Sequence, residues 1–301
     1  MSYYFMTFRF AFNVENSVAT LSKLMTGDAA TPFQYRILIP YLINLLFIHT
    51  KMILSIKHPI VLFHLIEFLA AFGFICASRY YFQLLIRKKI VSIIFSLVLF
   101  NSLIFNFILP RAIPIFYPSD IPSMFFFTLG LIFLYKQKWL FYYILFIIAS
   151  FNRETTCFLT CIYFLTYIGK TKPKLFILNC FAQLIIWLSI KYFLVQMFVK
   201  NPGAGLFEEH HLSTNLSFLL HIDNYPFLFS SFGFMWIPVF YFFRLISDNF
   251  VKRSLFVVFP FISGMMIVGN IYELRIYGEL FPVILSAFIL IVIKLVSSDD
   301  K

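Results

Sequence analysis

Charged side chains are scarce in this chain, and acidic ones are scarcer than basic ones. Only 12% of the 301 residues are charged, with 13 Asp and Glu against 24 Lys and Arg, whereas 61% are hydrophobic and 44 are Phe. A soluble domain of this composition would have too few polar residues to cover its surface. The composition therefore excludes an ordinary soluble protein and predicts one that lies in a lipid bilayer.

Cysteines, nucleotide-binding motifs and metal-binding motifs are also few or absent. The four cysteines all lie in apolar runs, and Cys157 and Cys161 are four residues apart, unlike a zinc or redox pair. The sequence contains no Gly-rich phosphate loop, no Walker sequence and no H-E-x-x-H zinc motif. These absences argue against a nucleotide-binding site and identify neither a cofactor nor a metal site. The sequence does not decide whether a divalent metal is required.

Hydropathy predicts an all-α, polytopic membrane protein built as a single domain over residues 1–301. A helix needs about 20 apolar residues to cross a bilayer. The 301 residues of the chain allow nine or ten such spans. The tenth would be residues 1–12, a short aromatic segment that Arg9 interrupts. The nine predicted spans are residues 59–78, 90–109, 122–135, 139–151, 155–169, 175–198, 230–246, 255–270 and 280–297.

The segments between these spans alternate between basic and acidic. Lys and Arg cluster around residues 79–89, 136–138, 170–174 and 244–253, and the acidic residues lie mainly in the alternate segments. The positive-inside rule then places the basic clusters in the cytoplasm and the acid-bearing loops outside. This orientation also explains the net charge of +11 without nucleic acid, because the basic residues flank apolar segments and form no basic stripe. The high Phe, Ile and Lys content points to a bacterial inner membrane.

Two of the predicted external loops are much longer than the others. Residues 13–58 contain a predicted amphipathic surface helix over 15–25, a break at Gly27 and Pro32, and an apolar helix from Ile37 that carries Pro40. Residues 199–229 form the second. The alternative is that residues 37–56 cross the bilayer, which would reverse the sidedness of every later loop.

The first external loop resembles that of the GT-C glycosyltransferases, which include protein O-mannosyltransferases and bacterial lipid A aminoarabinose transferases. The resemblance covers about forty residues. It rests on a short first helix, an acidic residue after it, a turn and a surface helix. The residues that carry it are Glu15, then Thr26, Gly27, Asp28, Thr31 and Pro32, then Tyr35, Arg36, Leu38, Pro40 and Leu42.

The resemblance implies a reaction and its partners. A sugar would pass, with inversion, from a polyprenyl-phosphate-linked donor in the membrane lipid to a glycolipid or glycan acceptor on the extracytoplasmic face. In that family an acidic residue just after the first helix is the base, and Glu15 matches this position best, although Asp is more usual there. Asp28 is a second candidate base. Protein partners cannot be predicted.

The chemistry of such a reaction needs a carboxylate to accept a proton from the acceptor hydroxyl and cationic groups to bind the phosphate. Asp120 is a third candidate catalytic residue, although it could equally cap the helix that begins near Pro122. Within the predicted spans, Glu67 and Lys191 are charges that require an ion pair or a polar location. The predicted substrate-binding residues are Arg36, Arg111, Arg153, Glu154, Arg275 and Glu279. An ordinary helical ion pair between Arg275 and Glu279 is the alternative for those two.

Other functions fit the same features. A flippase or transporter of lipid-linked glycans would use the arginines to hold a phosphate without chemistry, and a surface-polysaccharide polymerase would carry paired Arg motifs in a long external loop. The loop at 199–229 contains no Arg. A membrane scaffold without catalysis would tolerate Ala at Arg153 and Glu154.

Overall fold

The computed structural model describes residues 2–54, 58–86, 89–109, 115–203 and 211–298, and these are almost entirely helical. The predicted all-α class is therefore confirmed. The α-helices are α1 (Ser2–Phe12), α2 (Leu21–Thr26), α3 (Leu38–Leu54), α4 (Ile60–Ile86), α5 (Lys89–Phe107), α6 (Asp120–Tyr135), α7 (Trp139–Asn152), α8 (Phe158–Tyr167), α9 (Pro173–Met197), α10 (Leu212–Leu220), α11 (Tyr225–Phe229), α12 (Trp236–Tyr241), α13 (Asn249–Ser254), α14 (Val258–Val268) and α15 (Phe281–Ser298).

Short 3-10 helices and one pair of strands join these helices. Strands β1 (Val14–Glu15) and β2 (Ile115–Phe116) pair in parallel, with Glu15 opposite Phe116. This pairing joins the first loop to the segment before α6. The 3-10 helices are Phe33–Tyr35, Glu154–Cys157, Ile222–Asn224, Ser231–Phe234, Phe243–Leu245, Leu255–Val257 and Leu274–Leu280.

Several helices are suited to a bilayer by length and composition. Among the described residues, five continuous helical segments are long and apolar enough to cross one: Ile60–Ile86, Lys89–Phe107, Pro173–Met197, Asn249–Val268 and Leu274–Ser297. Three shorter helices, Leu38–His49, Asp120–Tyr135 and Trp139–Asn152, are also apolar. The chain is therefore helical and has membrane-compatible segments, as the composition predicts.

The predicted span at 230–246 is not one continuous helix. It consists of the 3-10 helix Ser231–Phe234, the short helix α12 and the 3-10 helix Phe243–Leu245. Phe232, Gly233 and Phe234 have positive φ angles of 57°, 62° and 64°, which a right-handed helix cannot contain. Hydropathy reports only that a segment is apolar and gives no sign of this backbone reversal.

The main core lies between the long central helices. α4 packs against α5 and α6, and α6 packs against α7. Phe74, Leu99, Met124, Phe146 and Ile284 are buried side chains of one continuous apolar cluster that these helices and α15 share. This packing fixes the amino-terminal end of α6 at the meeting point of several elements, and the candidate site is built there.

The first loop folds as a compact cap. Thr20 caps α2 through its side chain, which accepts a hydrogen bond from the Lys23 amide, and Gly27 ends the helix with φ 89°. The predicted surface helix is thus present, but it begins at Leu21 rather than at Glu15. Asn201 holds the following turn, because its side-chain amide donates to the carbonyl oxygens of Gly27 (2.7 Å) and Ala29 (2.8 Å).

Gly203 lies against this turn with its backbone paired to Thr31 and with a φ angle of 113°. A Cβ atom there would overlap the Thr31 carbonyl oxygen. We expect Gly203→Ala to lower the free energy of unfolding by about 1–3 kcal/mol, through left-handed strain and this overlap. The measurement is the thermal unfolding midpoint of the purified protein in detergent.

Gly169→Ala is the matched control, because Gly169 also has a positive φ angle (75°), but a Cβ atom added to it would meet no described atom within 4 Å. It isolates backbone strain, which costs about 1 kcal/mol. Equal shifts for the two variants would show that contact with Thr31 is unimportant.

Candidate functional site

Three arginines from distant parts of the chain contact one buried carboxylate, that of Asp120. Arg153 and Arg275 donate to Asp120 Oδ1 at 3.4 and 3.3 Å, and Arg9 donates to Oδ2 at 3.3 Å. Asp120 is completely buried. We call Asp120, Arg9, Arg153 and Arg275 the Asp120 cluster. It joins α1, the start of α6, the end of α7 and the 3-10 helix Leu274–Leu280.

Asp120 does not cap α6 with its side chain. The residue is the first of that helix, and its Oδ2 instead accepts a hydrogen bond from the Tyr117 amide at 3.2 Å. Both carboxylate oxygens therefore already have donors. This arrangement suits a residue that orders arginines better than one that accepts a proton from a substrate.

Arg9 belongs to this site, although hydropathy identifies it only as an interruption in a short aromatic segment. Its side chain is fully buried, forms an ion pair with Glu67 of α4 and also contacts Asp120. The predicted requirement that Glu67 be paired is confirmed. The sequence could have identified Arg9 as a paired residue, because an arginine in an aromatic helix is a charge in an apolar environment and needs a partner.

The end of α7 supplies the next part of the site. Arg153 lies 3.4 Å from both Asp120 Oδ1 and Glu279 Oε1, and Thr155 donates a hydrogen bond to the same Glu279 oxygen. Asn152 donates to the Ser119 carbonyl oxygen at 3.1 Å. Arg153 is only 3% exposed, so its guanidinium group is held inside the fold.

Arg36 and Glu154 form a second, more exposed ion pair. Arg36 Nε lies 3.2 Å from Glu154 Oε2, and both side chains are partly exposed, by 17% and 19%. Burial alone would raise the pKa of Glu154, but Arg36 and then Lys191 outweigh it and lower that pKa to about 2. The contribution of this pair to stability is therefore complete above the usual Glu pKa and is lost only as the pH falls towards 2.

Lys191 supports this pair from α9. It is buried, and its ammonium group donates to the Ser150 carbonyl oxygen at 2.8 Å. Trp187, one turn earlier, donates to the Glu154 carbonyl oxygen at 2.9 Å. The Lys191 ammonium group therefore has a polar partner in a backbone carbonyl oxygen.

Tyr117 lies between the two arginines with the most exposed guanidinium groups of the site. The guanidinium carbon of Arg275 is 4.4 Å from the centre of its ring, and that of Arg36 is 5.8 Å away. Phe33 stacks on the same ring at 5.1 Å. The aromatic ring holds two like charges close together, which favours binding of an anion. The sequence alone gives no sign that this tyrosine contacts two arginines.

Arg275 and Glu279 do not pair with each other as an ordinary α-helix would allow. Their segment is a 3-10 helix, in which residues four apart do not share a face. Arg275 instead pairs with Asp120 and with Glu273, and Glu279 pairs with Arg153. The expectation of an intrahelical ion pair is therefore wrong, and Glu273 is a site residue that was missed.

The two other candidate bases are exposed and have few interactions. Glu15 Oε1 accepts one long bond, from the Leu21 amide at 3.4 Å. It neighbours Asn16, whose side chain donates to Tyr117 Oη at 2.6 Å. Asp28 is exposed on the turn after α2. Strand pairing therefore brings Glu15 next to the Tyr117 segment, and its carboxylate remains accessible.

Arg111 lies outside the described residues, so its predicted place in the site stays a prediction. The structure brings together Asp120, Arg153, Arg275 and Glu279 in direct contact, and Arg36 and Glu154 in the adjoining pair. Glu15 and Asp28 lie in the loop that packs on Tyr117, through Ala29 and Phe33.

An apolar cavity of about 430 Å³ begins at the segment that carries Arg275. Ile271, Tyr277 and Leu280 form one wall, and Phe232, Trp236 and Phe240 form part of the other. The kinked segment at 231–234 thus shapes a cavity instead of crossing as a straight helix. Its lining suits a hydrocarbon chain, and no charged side chain of the described residues lines it.

Several buried polar atoms around the cluster have no hydrogen-bond partner among the described residues. They include Asn13 Oδ1, Ser119 Oγ, Asn152 Oδ1, Arg153 Nε and Glu279 Oε2. Such atoms are stabilised by water or by a polar ligand. Within the described ranges, no group of three or more His, Cys, Asp or Glu side chains could hold a metal ion.

Comparison with known proteins adds no relative. No family model matches the sequence, no curated protein matches it, and no solved structure matches the fold.

Proposed function

We propose that this chain is an integral membrane glycosyltransferase of GT-C type. It transfers a sugar from a polyprenyl-phosphate donor to a lipid-linked or cell-surface glycan on the extracytoplasmic face, with inversion at the anomeric carbon. We further propose that the chain crosses a bacterial inner membrane nine or ten times, with the first loop and the site on the outer face.

One observation supports it above the others: Arg275, which shares the Tyr117 ring with Arg36, belongs to a segment that lines an apolar cavity. A polyprenyl phosphate has a long branched hydrocarbon chain and an anionic head, so it needs both features next to each other. Arg275 and two cavity residues, Ile271 and Tyr277, belong to one short segment. The hydrocarbon chain would occupy the cavity, and the phosphate would bind Arg275 and Arg36.

The proposed reaction is a direct displacement. Glu15 accepts the proton of the acceptor hydroxyl while the oxygen of that hydroxyl bonds to the anomeric carbon of the donor sugar. The bond from the anomeric carbon to the phosphate oxygen breaks. The electron pair leaves on the polyprenyl phosphate, where the two guanidinium groups stabilise the added negative charge. Asp120 and Glu279 hold the arginines in place.

The test is a transfer assay with the purified protein in proteoliposomes, a panel of radiolabelled polyprenyl-phosphate sugars and a glycolipid extract. Transfer of label to the acceptor supports the proposal. Movement of a lipid-linked glycan between leaflets without transfer would assign the protein to flippases. If neither transfer nor movement between leaflets occurs with any donor, the proposal is wrong.

Arg36→Ala is expected to raise the KM for the donor at least tenfold, because one of the two phosphate-binding cations is lost. Arg36→Lys should recover only part of this loss, since an ammonium group cannot bind two phosphate oxygens in the planar geometry of a guanidinium group. Initial rates against donor concentration in the same vesicles measure the effect. An unchanged KM in the Ala variant would show that Arg36 binds no donor phosphate.

A further inference from the structure

The ion pair between Arg275 and Glu273 lies at the outer edge of the Asp120 cluster. The Arg275 side chain is 9% exposed and that of Glu273 is 23% exposed, whereas Asp120 is completely buried. Arg275 thus has an inner carboxylate that is fixed and an outer one that reaches water. Only the outer one can leave without exposing the core.

Glu273 is positioned by a short turn and not by helix packing. Its amide donates to the Asn270 carbonyl oxygen at 2.9 Å, and the Asn270 side chain donates to Glu273 Oε1 at 3.3 Å. The residue precedes the 3-10 helix Leu274–Leu280, but its side chain does not cap that helix. Its carboxylate is directed to Arg275 instead.

We propose that Glu273 occupies the phosphate position on Arg275 in the empty protein and that the phosphate of an isoprenoid lipid displaces it. This inference rests on the proposed function, because it takes Arg275 as a phosphate ligand. It assigns Glu273 a role that the sequence did not suggest: a resident anion that competes with the substrate.

Electrostatics explain why such a residue is useful. Asp120 is shared by three arginines, so without Glu273 the charge of Arg275 would be only partly balanced. A largely buried guanidinium group with an incomplete counter-charge is unfavourable, which gives the empty site a use for a second anion. Phosphate carries more charge and more acceptor oxygens than a carboxylate, and it forms strong paired hydrogen bonds with arginine. A lipid phosphate held by the neighbouring cavity would therefore win the competition.

The test measures binding of farnesyl phosphate, and separately of inorganic phosphate, to the full chain in lipid nanodiscs by calorimetry. Glu273→Gln should bind both about tenfold more tightly than wild type, because the competing charge is gone. Glu273→Asp, which keeps the charge but reaches less far, should also tighten binding. Asp223→Asn is the control: it removes one exposed acidic charge in the loop at 199–229 and should leave both affinities unchanged.

The outcomes separate this inference from the proposed function. If wild type binds inorganic phosphate but not farnesyl phosphate, the lipid-donor proposal fails, while the phosphate titrations of the variants still decide the role of Glu273. If wild type binds farnesyl phosphate and neither Glu273 variant binds either ligand more tightly, Glu273 is only a structural partner. Equal tightening by Asp223→Asn would indicate a general charge effect and would also overturn the inference. Thermal unfolding midpoints establish that each variant is folded. If Glu273→Gln is not folded, the affinities of Glu273→Asp alone decide the role of Glu273.

Discussion

Asp120→Asn is expected to lower the free energy of unfolding by about 3–5 kcal/mol, the usual effect of removing one partner from a buried ion pair. The substitution keeps the size of the side chain, removes its charge and replaces one acceptor oxygen by an amide donor. Three guanidinium groups would then share a buried site without the carboxylate that each of them contacts. The measurement is the thermal unfolding midpoint in detergent, with gel filtration to detect aggregation.

Glu154→Gln is the matched comparison, because it makes the same chemical change in an ion pair that is partly exposed. Partly exposed pairs contribute roughly 1 kcal/mol or less. We therefore expect a much smaller shift. If Asp120→Asn shifted the midpoint no more than Glu154→Gln, the cluster would not depend on its central carboxylate.

Glu15→Gln is expected to reduce the rate of sugar transfer about 10²–10⁴-fold, the range over which general bases contribute. Its unfolding midpoint should remain that of wild type, because Glu15 is exposed and makes one long hydrogen bond. The assay is single-turnover transfer in proteoliposomes with saturating donor. A loss of rate without a loss of stability would identify a catalytic group.

Two further variants make this result specific. Asp28→Asn tests the other accessible acid of the first loop, and transfer that survives Glu15→Gln but not Asp28→Asn would move the base to Asp28. Asp223→Asn removes an equivalent surface charge and should retain the wild-type rate. Loss of transfer in all three variants would instead indicate that the vesicles respond to surface charge.

The first loop was predicted well where its backbone chemistry is local. The Gly27 break and the restart of a helix that contains Pro40 follow from residues within a few positions of each other. Helix α2 begins at Leu21, later than predicted, because Glu15 pairs as a strand with Phe116, about one hundred residues later. A partner this distant leaves no mark on local periodicity.

The candidate site was predicted in its residue types but only partly in its contacts. A carboxylate or guanidinium group in an apolar chain must find a partner, so Asp120, Arg153 and Arg275 were identifiable one at a time. Their convergence on one carboxylate was not, because it depends on how α1, α6, α7 and the segment before α15 pack. Tyr117 gains importance from Arg275 and Arg36, which the fold brings to its ring. Glu273 lies two residues before Arg275, so its pairing is local.

The sequence by itself determined that this protein is helical and apolar, and that its few charges must be paired. These conclusions follow from composition and hydropathy, which depend on how each residue interacts with water and lipid. Only the tertiary structure decided which distant charges pair, that the segment at 231–234 reverses its backbone, and that a cavity adjoins the segment of Arg275. Those features depend on residues far apart in the chain, and their positions are fixed when the helices pack.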